Sequence, residues 1–569
     1  MAGARKTELK VLISTGHLGT APSNPESFQR ALDEARPDYI VADGGSSDPG
    51  PVYLGEDTTL GHFVREELEL FLVAARSRGI PLVIGSAGDT GSNRGVDEFV
   101  SVIQDIARQH AMPPFKVGYF YSEVPKDFLL DKLRAGRVLA GLGGFPDLTE
   151  EEIGRATRIV AVAGSDPFRR LLERGADVII GGRCGDINFT AGPCIHHGFP
   201  EALAYHMGKM IECASLVAEP FMGKEAIVGT ITHDDIRITP YHPDQRCTVA
   251  SVAGHSMYER ESPYEEHALG GMLDMQDCRY EQHDERTARI TGARWIPARE
   301  LRVKLEGARK VGERYMGFVG LRDPHVIAHV DDAIAWCRKA VAGRFAQHAY
   351  ELHFHVFGRD GVLKELEPQR RSVAHELGIV VEGVAATDAL AEKITDFAVR
   401  MFFLLRIPGV KGTAGSAATT KKTMKSSPGY VWNVNHTVPI DDPMELFPLH
   451  MTRPASRPDP RREQAMTRLY DLASTIRSKN AGVNQVTFDI IFSDPTTYQR
   501  VLASGAITRE TMSRLFGIAP GRISHFVEFA PANAIKFTIY RTRPNGSPGD
   551  WDVLGCQQYG PLLEVEIPD

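Results

Sequence analysis

Three glycine-rich segments hold the residues of this 569-residue chain best suited to chemistry. The first, DGGSSDPGP at 43–51, follows an apolar strand and sets Asp43, Asp48, Ser46 and Ser47 among five Gly or Pro residues. A carboxylate at a strand end can act as general base, hold a hydroxyl group or ligate Mg²⁺. The plainer alternative is that Asp43 caps its own turn. The second, GSAGDTGSNRG at 85–95, lies between a strand and a helix. Gly85, Ser86, Gly88 and Asp89 let the backbone approach an anion, with Arg94 as counter-ion, or else form an ordinary βα turn. The third is GGRCGD at 181–186. Arg183 between glycines suits planar recognition of a carboxylate, and Asp186 could orient it or move a proton. A structural Arg–Asp pair is the alternative there, and Cys184 as nucleophile would need a base beside it.

Three further positions join these loops. His255, in SVAGHSMYE with Tyr258 and Glu259, titrates in the range useful for proton transfer. Glu306, in KLEGA beside Lys304, and Arg322, in RDP, combine charge with Gly and Pro. The expected catalytic set is therefore Asp43, Asp48, Asp186, His255 and Glu306. The expected substrate-binding set is Ser46, Gly85, Ser86, Gly88, Asp89, Arg94, Arg183 and Arg322. No metal-ligand set is assigned: His233-Asp234-Asp235 and His353-x-His355 lack a third ligand at recognisable spacing. A cofactor is left open. There is no Walker lysine and no G-x-G-x-x-G, so no nucleotide signature, while a divalent metal stays open.

These loops need strands to hold them. Apolar runs at 10–13, 38–42, 81–84, 116–121, 159–162 and 177–180 alternate with helical stretches at about 26–35, 63–77 and 96–110, a spacing that predicts βαβ units and a parallel sheet. From about residue 227 the strands shorten and the pattern becomes α+β, with helices near 327–347 and 388–403. This half is expected to pack on the first and close a cleft. Four prolines within 448–462 read as a linker. Beyond it, two helices and four short strands suggest a ferredoxin-like α+β unit. The fold class is thus α/β: a parallel-sheet N-terminal half (7–225) and an α+β second half (226–447) in one domain of 7–455, a linker at 456–467, and a small domain at 468–569. Arg477-Ser478-Lys479-Asn480, expected ahead of a strand, would meet an acidic substrate or dock the first domain.

Composition narrows the partners. A net charge of −8 from 65 basic and 73 acidic residues argues against nucleic acid and an anionic membrane surface. No apolar run is long enough to span a bilayer, and a cytoplasmic location is expected. Seven scattered cysteines without a CxxC pair argue for free thiols. The expected partner is a small-molecule carboxylate or acyl-CoA, and the expected assembly a homo-oligomer.

In order along the chain, ADGGSSDPGPVYLG, IGSAG, GADVIIGGRCGD, CTVASVAGHSMYE, VKLEGA and RDP resemble the acyclic terpene utilisation (AtuA) family over about residues 8 to 455. RSKNAG, FDIIFSD and GSPGDWDVLGCQQYGPLLEVEIP resemble the small AtuA-like ferredoxin-fold domain, in many bacteria a separate companion protein and here fused. The resemblance carries over Asp43, Gly44, Ser46, Asp48, Gly85, Ser86, Gly88, Arg183, Asp186, His255, Glu306 and Arg322 as positions matching the pattern. Gly44 and Cys184 stand where many relatives have Ala or Ser, which weakens a nucleophilic role for Cys184. It implies catabolism of acyclic terpenes and of branched or dicarboxylic acids, without a mechanism. The expected function is an enzyme acting on a carboxylate or acyl-CoA by acid–base chemistry, a lyase of hydratase or dehydratase type. The alternatives are an acyl-CoA or CoA transferase with Glu306 as covalent carrier, and a non-catalytic binding subunit or scaffold.

Overall fold

A computed structural model describes residues 6–56, 61, 63–370, 374–412, 414–454, 466–545, 547, 552 and 554–568. They fall into two units that divide at residue 456. In the first unit six strands run through the opening 180 residues: β1 (Glu8–Ile13), β2 (Tyr39–Asp43), β3 (Leu82–Gly85), β4 (Val117–Phe120), β5 (Arg158–Ala161) and β6 (Val178–Ile180). Five of them make a parallel core in the order β1-β2-β3-β6-β4.

The apolar runs of these strands serve both faces of the sheet. Val11, Ile13, Tyr39, Val41, Val83 and Ile179 enter one core, while Leu12, Ile40, Ala42, Leu82, Ile84, Val178 and Ile180 enter the other. A strand alternates its side chains, so a one-residue slip would exchange the two sets. The covering helices start on clear caps. Asn24 accepts from the backbone of Glu26 and Ser27 at the head of Pro25–Glu34, and Ser92 accepts from Gly95 at the head of Asn93–Gln109.

The second half departs from the expected separate layer. β7 (Ile227–Thr232) and β8 (Ile236–Pro240) follow, then β9 (Glu265–Ala268), β10 (Gly271–Asp274), β11 (Arg279–Gln282), β12 (Ala288–Thr291) and β13 (Arg294–Pro297). β7 pairs antiparallel with β1, and β8, β12 and β11 extend the same sheet outward. β9, β10 and β13 form a small leaf of their own. Periodicity alone cannot show this, because an antiparallel extension and a separate layer have the same alternation.

A second sheet is built on β14 (Arg302–Leu321), with β15 (Tyr350–Phe357), β16 (Leu377–Ala385), β17 (Ala418–Thr419) and β18 (Met424–Pro439). β5 belongs here and not to the parallel series: it pairs antiparallel with 305–308 of β14. Helices Val330–Arg344 and Asp388–Phe403 cover its far half through Val330, Cys337, Ile394 and Phe402. The proline-rich stretch also differs from expectation. β19 (Leu449–Thr452) pairs with β4 and closes the edge of the first sheet, so only part of 448–462 can serve as a connection. Residues 455–465, most of the expected linker, lie outside the described residues.

The second unit contains β20 (Met466–Arg468), β21 (Ala473–Asn480), β22 (Gln485–Phe492), β23 (Ile523–Phe529), β24 (Ala534–Tyr540) and β25 (Glu566–Pro568). Its main sheet is antiparallel in the order β21-β22-β24-β23, with both helices, Pro495–Ser504 and Arg509–Leu515, between β22 and β23. The 477–480 quartet lies within β21 itself. A short 3-10 turn, Gly560–Glu564, precedes β25. Among the described residues no helix is long and apolar enough to cross a membrane.

Candidate active site at the carboxyl edge of the parallel sheet

The three glycine-rich loops follow β2, β3 and β6, which are neighbours in the sheet, and they interlock through backbone. Gly44 N–H donates to Gly85 O (2.7 Å) and Asp89 N–H to Gly44 O (3.1 Å). Ala87 N–H reaches Gly181 O (2.9 Å), and Arg183 N–H reaches Gly91 O (3.0 Å). Such contact requires glycine at Gly45, whose φ is 148° and where an added Cβ would stand 2.1 Å from Asp89 Cα. Ser86 and Asp89 hold φ of 46° and 64° although neither is glycine. Non-glycine residues in that region cost about 1–3 kcal/mol and cluster at functional sites. Gly45→Ala is expected to destabilise the first unit by ~2–4 kcal/mol through overpacking and strain. A urea denaturation midpoint unchanged from wild type would contradict this close approach.

Arg183 braces the loops from inside. It is 5% exposed, and its Nε donates to Glu306 Oε2 at 2.9 Å. One terminal nitrogen, NH1, reaches Cys184 O (2.8 Å), Ser86 Oγ (3.2 Å) and Asp186 Oδ1 (3.3 Å). Glu306, on β14, also accepts from Ser47 Oγ (3.2 Å) and pairs through Oε1 with Lys304 Nζ (2.8 Å). Burial opposes the charge on Glu306, yet Arg183 and then Lys304 outweigh it and hold the carboxyl down at about 2. The same pairing, against burial, keeps the Arg183 pKa above its ordinary value. Its other terminal nitrogen reaches Ser47 Oγ (3.5 Å), so the guanidinium is committed to protein acceptors in four segments, a positioning arrangement rather than a free fork for substrate.

Around this brace lies a group of carboxyls with few cations. Asp43 is buried, and the one hydrogen bond seen on its carboxylate is from Gly45 N–H (3.1 Å). Burial first, then the charge of Asp186, push its carboxyl well above the usual range, against the weaker pull of Gly45 and Arg183. Asp186 is one-third exposed at its side chain. Its charge also raises Glu212 and Glu266. Glu212, just beyond the buried helix Glu201–Ile211, pairs with Lys209 one turn back, and burial pushes it up to about 8 despite that partner. Glu266 pairs with Arg260 (2.8 Å). His255 is buried, and its Nε2 has no hydrogen-bond partner. Burial, then Lys209 and Arg260, bring its pKa down to about 4, so it is neutral at neutral pH. Tyr258 stacks on the imidazole (5.5 Å between ring centres), and Lys209 Nζ lies over the Tyr258 ring, 5.6 Å from its centre. Exposed Asp48, Tyr258, Glu259 and Lys304 surround this buried group on the solvent side.

The expected residues separate accordingly. Asp43, Ser86, Arg183, Asp186 and Glu306 come together, and His255 joins them through Lys209 and Glu212. Ser46 Oγ accepts from Asp48 N–H (3.2 Å) and shapes the loop, leaving Asp48 at the surface. Gly85 packs against Phe189 and Cys184, and Gly88 (φ 70°) against Gly95, so both act by close approach. Asp89 pairs with His17 (2.9 Å), at the end of β1. Arg94 does not reach the group: it lies exposed on its helix and pairs with Glu98 one turn on. Arg322 does not either. It lies sixteen residues beyond Glu306, just past the far end of β14, a stretch of chain of at most roughly 50 Å at ~3.3 Å per residue. Cys184 is fully buried with its thiol pushed up to about 12 by burial, unsuited to nucleophilic attack. His353 pairs with Glu351, while His355 pairs with Glu382 and accepts from Lys364. His233 stacks on Phe199. Neither set gathers ligands.

Sequence reasoning missed Lys209, Glu212, Cys213, Arg260 and Glu266. A signal existed for two of them: KMIEC places Lys209 and Glu212 one helical turn apart in an otherwise apolar stretch, where a solvated pair would not be. Glu212, Cys213 and His255 each offer a ligand atom, all within 4.8 Å of one another.

Taken together, fold and site define an α/β protein whose loops, at the carboxyl edge of a parallel sheet, enclose a buried cluster of ionisable side chains. The family model described as acyclic terpene utilisation family protein AtuA matches residues 56–438, and the chain belongs to that family. A second model, a domain of unknown function (DUF4387), matches residues 469–566. No curated protein and no solved structure matches the chain.

Proposed function

We propose that this chain is a catabolic enzyme of acyclic terpene or branched or dicarboxylic acid breakdown that acts on a carboxylate or acyl-CoA by acid–base chemistry, as a hydro-lyase. The observation that carries the reading is Asp43, a buried carboxyl that burial and then the charge of Asp186 push well above the usual range, with the partly exposed Asp186 on another of the three loops. Environments that make one carboxyl an acid beside another that stays open to solvent set up the two halves of a proton-transfer reaction. In the dehydrating direction Asp186 takes the proton next to the carbonyl, Asp43 gives its proton to the departing hydroxyl, and water leaves. Exchange with solvent resets both groups. Lys304, half exposed at the rim, supplies a cation for the substrate's carboxylate or phosphate.

Membership of the AtuA family supports the substrate class. Glu306 is a poor covalent carrier for the transferase alternative, since both of its oxygens are engaged and its carboxyl is strongly acidic. The test incubates the full chain with branched 3-hydroxy and 2,3-unsaturated acyl-CoAs and dicarboxylates, following gain or loss of water by mass spectrometry. Turnover of at least one pair in both directions is expected. Ligand binding with every substrate intact would instead favour a binding subunit.

A further inference from the structure

We propose that Glu212, Cys213 and His255 form a binding site for a divalent transition ion of the zinc class. Their ligand atoms, one carboxylate oxygen, one thiol sulfur and one imidazole nitrogen, lie within 4.8 Å of one another. Such spacing fits three bonds of ~2.0–2.3 Å to a common centre after small side-chain adjustment. The mixed oxygen, sulfur and nitrogen donors favour a borderline ion over Mg²⁺ or Ca²⁺, which take oxygen alone.

A second observation points independently to a ligand. His255 is 4% exposed, and its Nε2 is buried with no hydrogen-bond partner. Leaving such an atom buried and unsatisfied is costly, so a ligand there is favoured. The Lys209 backbone carbonyl accepts a hydrogen bond from the ring, which the unpartnered Nε2 assigns to Nδ1. That is the support a metal-bound histidine ordinarily has: the far nitrogen donates to a carbonyl and fixes the tautomer that presents the near nitrogen as a lone pair.

The surroundings hold the other two ligands in place. Lys209 pairs with Glu212 through Oε1, and a carboxylate has a second oxygen for an ion. Gly16, at the end of β1, approaches so closely that an added Cβ would lie 2.7 Å from Cys213 Cα. Three protein ligands leave a fourth position for water or a substrate oxygen, the pattern of a catalytic rather than a structural zinc site. The charge of Asp186 acts on both Glu212 and Asp43, and that of Glu212 on Asp43, which sets the three ligands near the proposed acid–base pair. Ion binding does not rest on the reaction proposed above, because it is read without turnover.

The test titrates full-length protein, freed of metal by chelator, with Zn²⁺ alone and with Co²⁺ as an optical reporter. One equivalent per chain is expected, and Co²⁺ should give a thiolate charge-transfer band that disappears in Cys213→Ser. His255→Gln should weaken Zn²⁺ binding by ~100-fold or more, at least the upper end of what loss of a ligand's supporting partner costs. Cys278→Ser, which removes the thiol beside His206, should leave both readouts unchanged. In the wild type, Zn²⁺ should also protect Cys213 from alkylation, read by peptide mass spectrometry, so the test survives a variant that fails to fold. Absence of saturable one-equivalent binding, a band that persists in Cys213→Ser, or equal alkylation of Cys213 with and without Zn²⁺ would each overturn the site.

Discussion

Arg183→Met is expected to destabilise the first unit by ~3–5 kcal/mol, the cost of leaving a buried carboxylate without its partner. The uncompensated group is Glu306, whose side chain is 6% exposed and which keeps only Lys304 and Ser47. Glu306→Gln should cost less than Arg183→Met, because Arg183 retains Asp186, Ser86 and Cys184 O. The double variant should lose less than the two singles combined, which isolates the pair as a coupling of order 1–3 kcal/mol. Arg183→Lys retains charge but not the fork, so it should recover only part of the loss. Acid dependence follows from the same pairing. Glu306 titrates at about 2, below its ordinary carboxylate value, so its contribution to stability is present above that ordinary value and lost as pH falls toward 2. Urea midpoints between pH 7 and 3 measure this. A loss below about 1 kcal/mol in Arg183→Met would show that the brace is not what holds the loops.

The parallel core was legible because its physics is local. Strands buried on both faces must be continuously apolar, and each ends in a loop whose glycines mark a close approach, as Gly45 on Asp89 and Gly91 on Arg183 show. That is why Asp43, Ser86, Arg183 and Asp186 could be named from sequence and lie together. Partner strands and partner charges were not legible. β5 has the same apolar run as its neighbours yet joins β14, and β7 extends the sheet from the opposite direction. Arg94 had the right spacing for an anion, but a helix offers Glu98 four residues on, and that nearer partner wins. Arg322 fails for a geometric reason: nothing in RDP reveals that fifteen residues of one strand, 307–321, separate it from Glu306. Lys209 and Glu212 were hidden by a different prior, that charges face water, and they are the residues through which His255 reaches the centre.

Asp43→Asn separates chemistry from architecture. The side chain's one hydrogen bond is accepted from Gly45 N–H through an oxygen that asparagine also has, and its other oxygen holds no resolved partner. The amide should therefore keep the loop. It cannot give up a proton, so kcat for the substrate found in the panel should fall about 10²–10⁴-fold with KM little changed. Stability should respond in the opposite sense. In the folded protein Asp186 and Glu212 face Asp43 and raise it, Arg183 pulls it down, and burial decides the outcome in favour of the proton. A carboxyl raised in the folded state contributes fully below its ordinary pKa, and that contribution is lost as pH rises through the raised value. Asparagine has no such loss. The variant should match wild type below the ordinary carboxylate value and surpass it increasingly as pH rises above that value, in thermal unfolding followed from acid to neutral pH and beyond. Wild-type kcat in the dehydrating direction should decline as pH rises through the raised value, where Asp43 gives up the proton it donates. A variant with full activity would remove Asp43 from the reaction, and one whose stability tracks wild type at every pH would mean that Asp43 is ionised throughout.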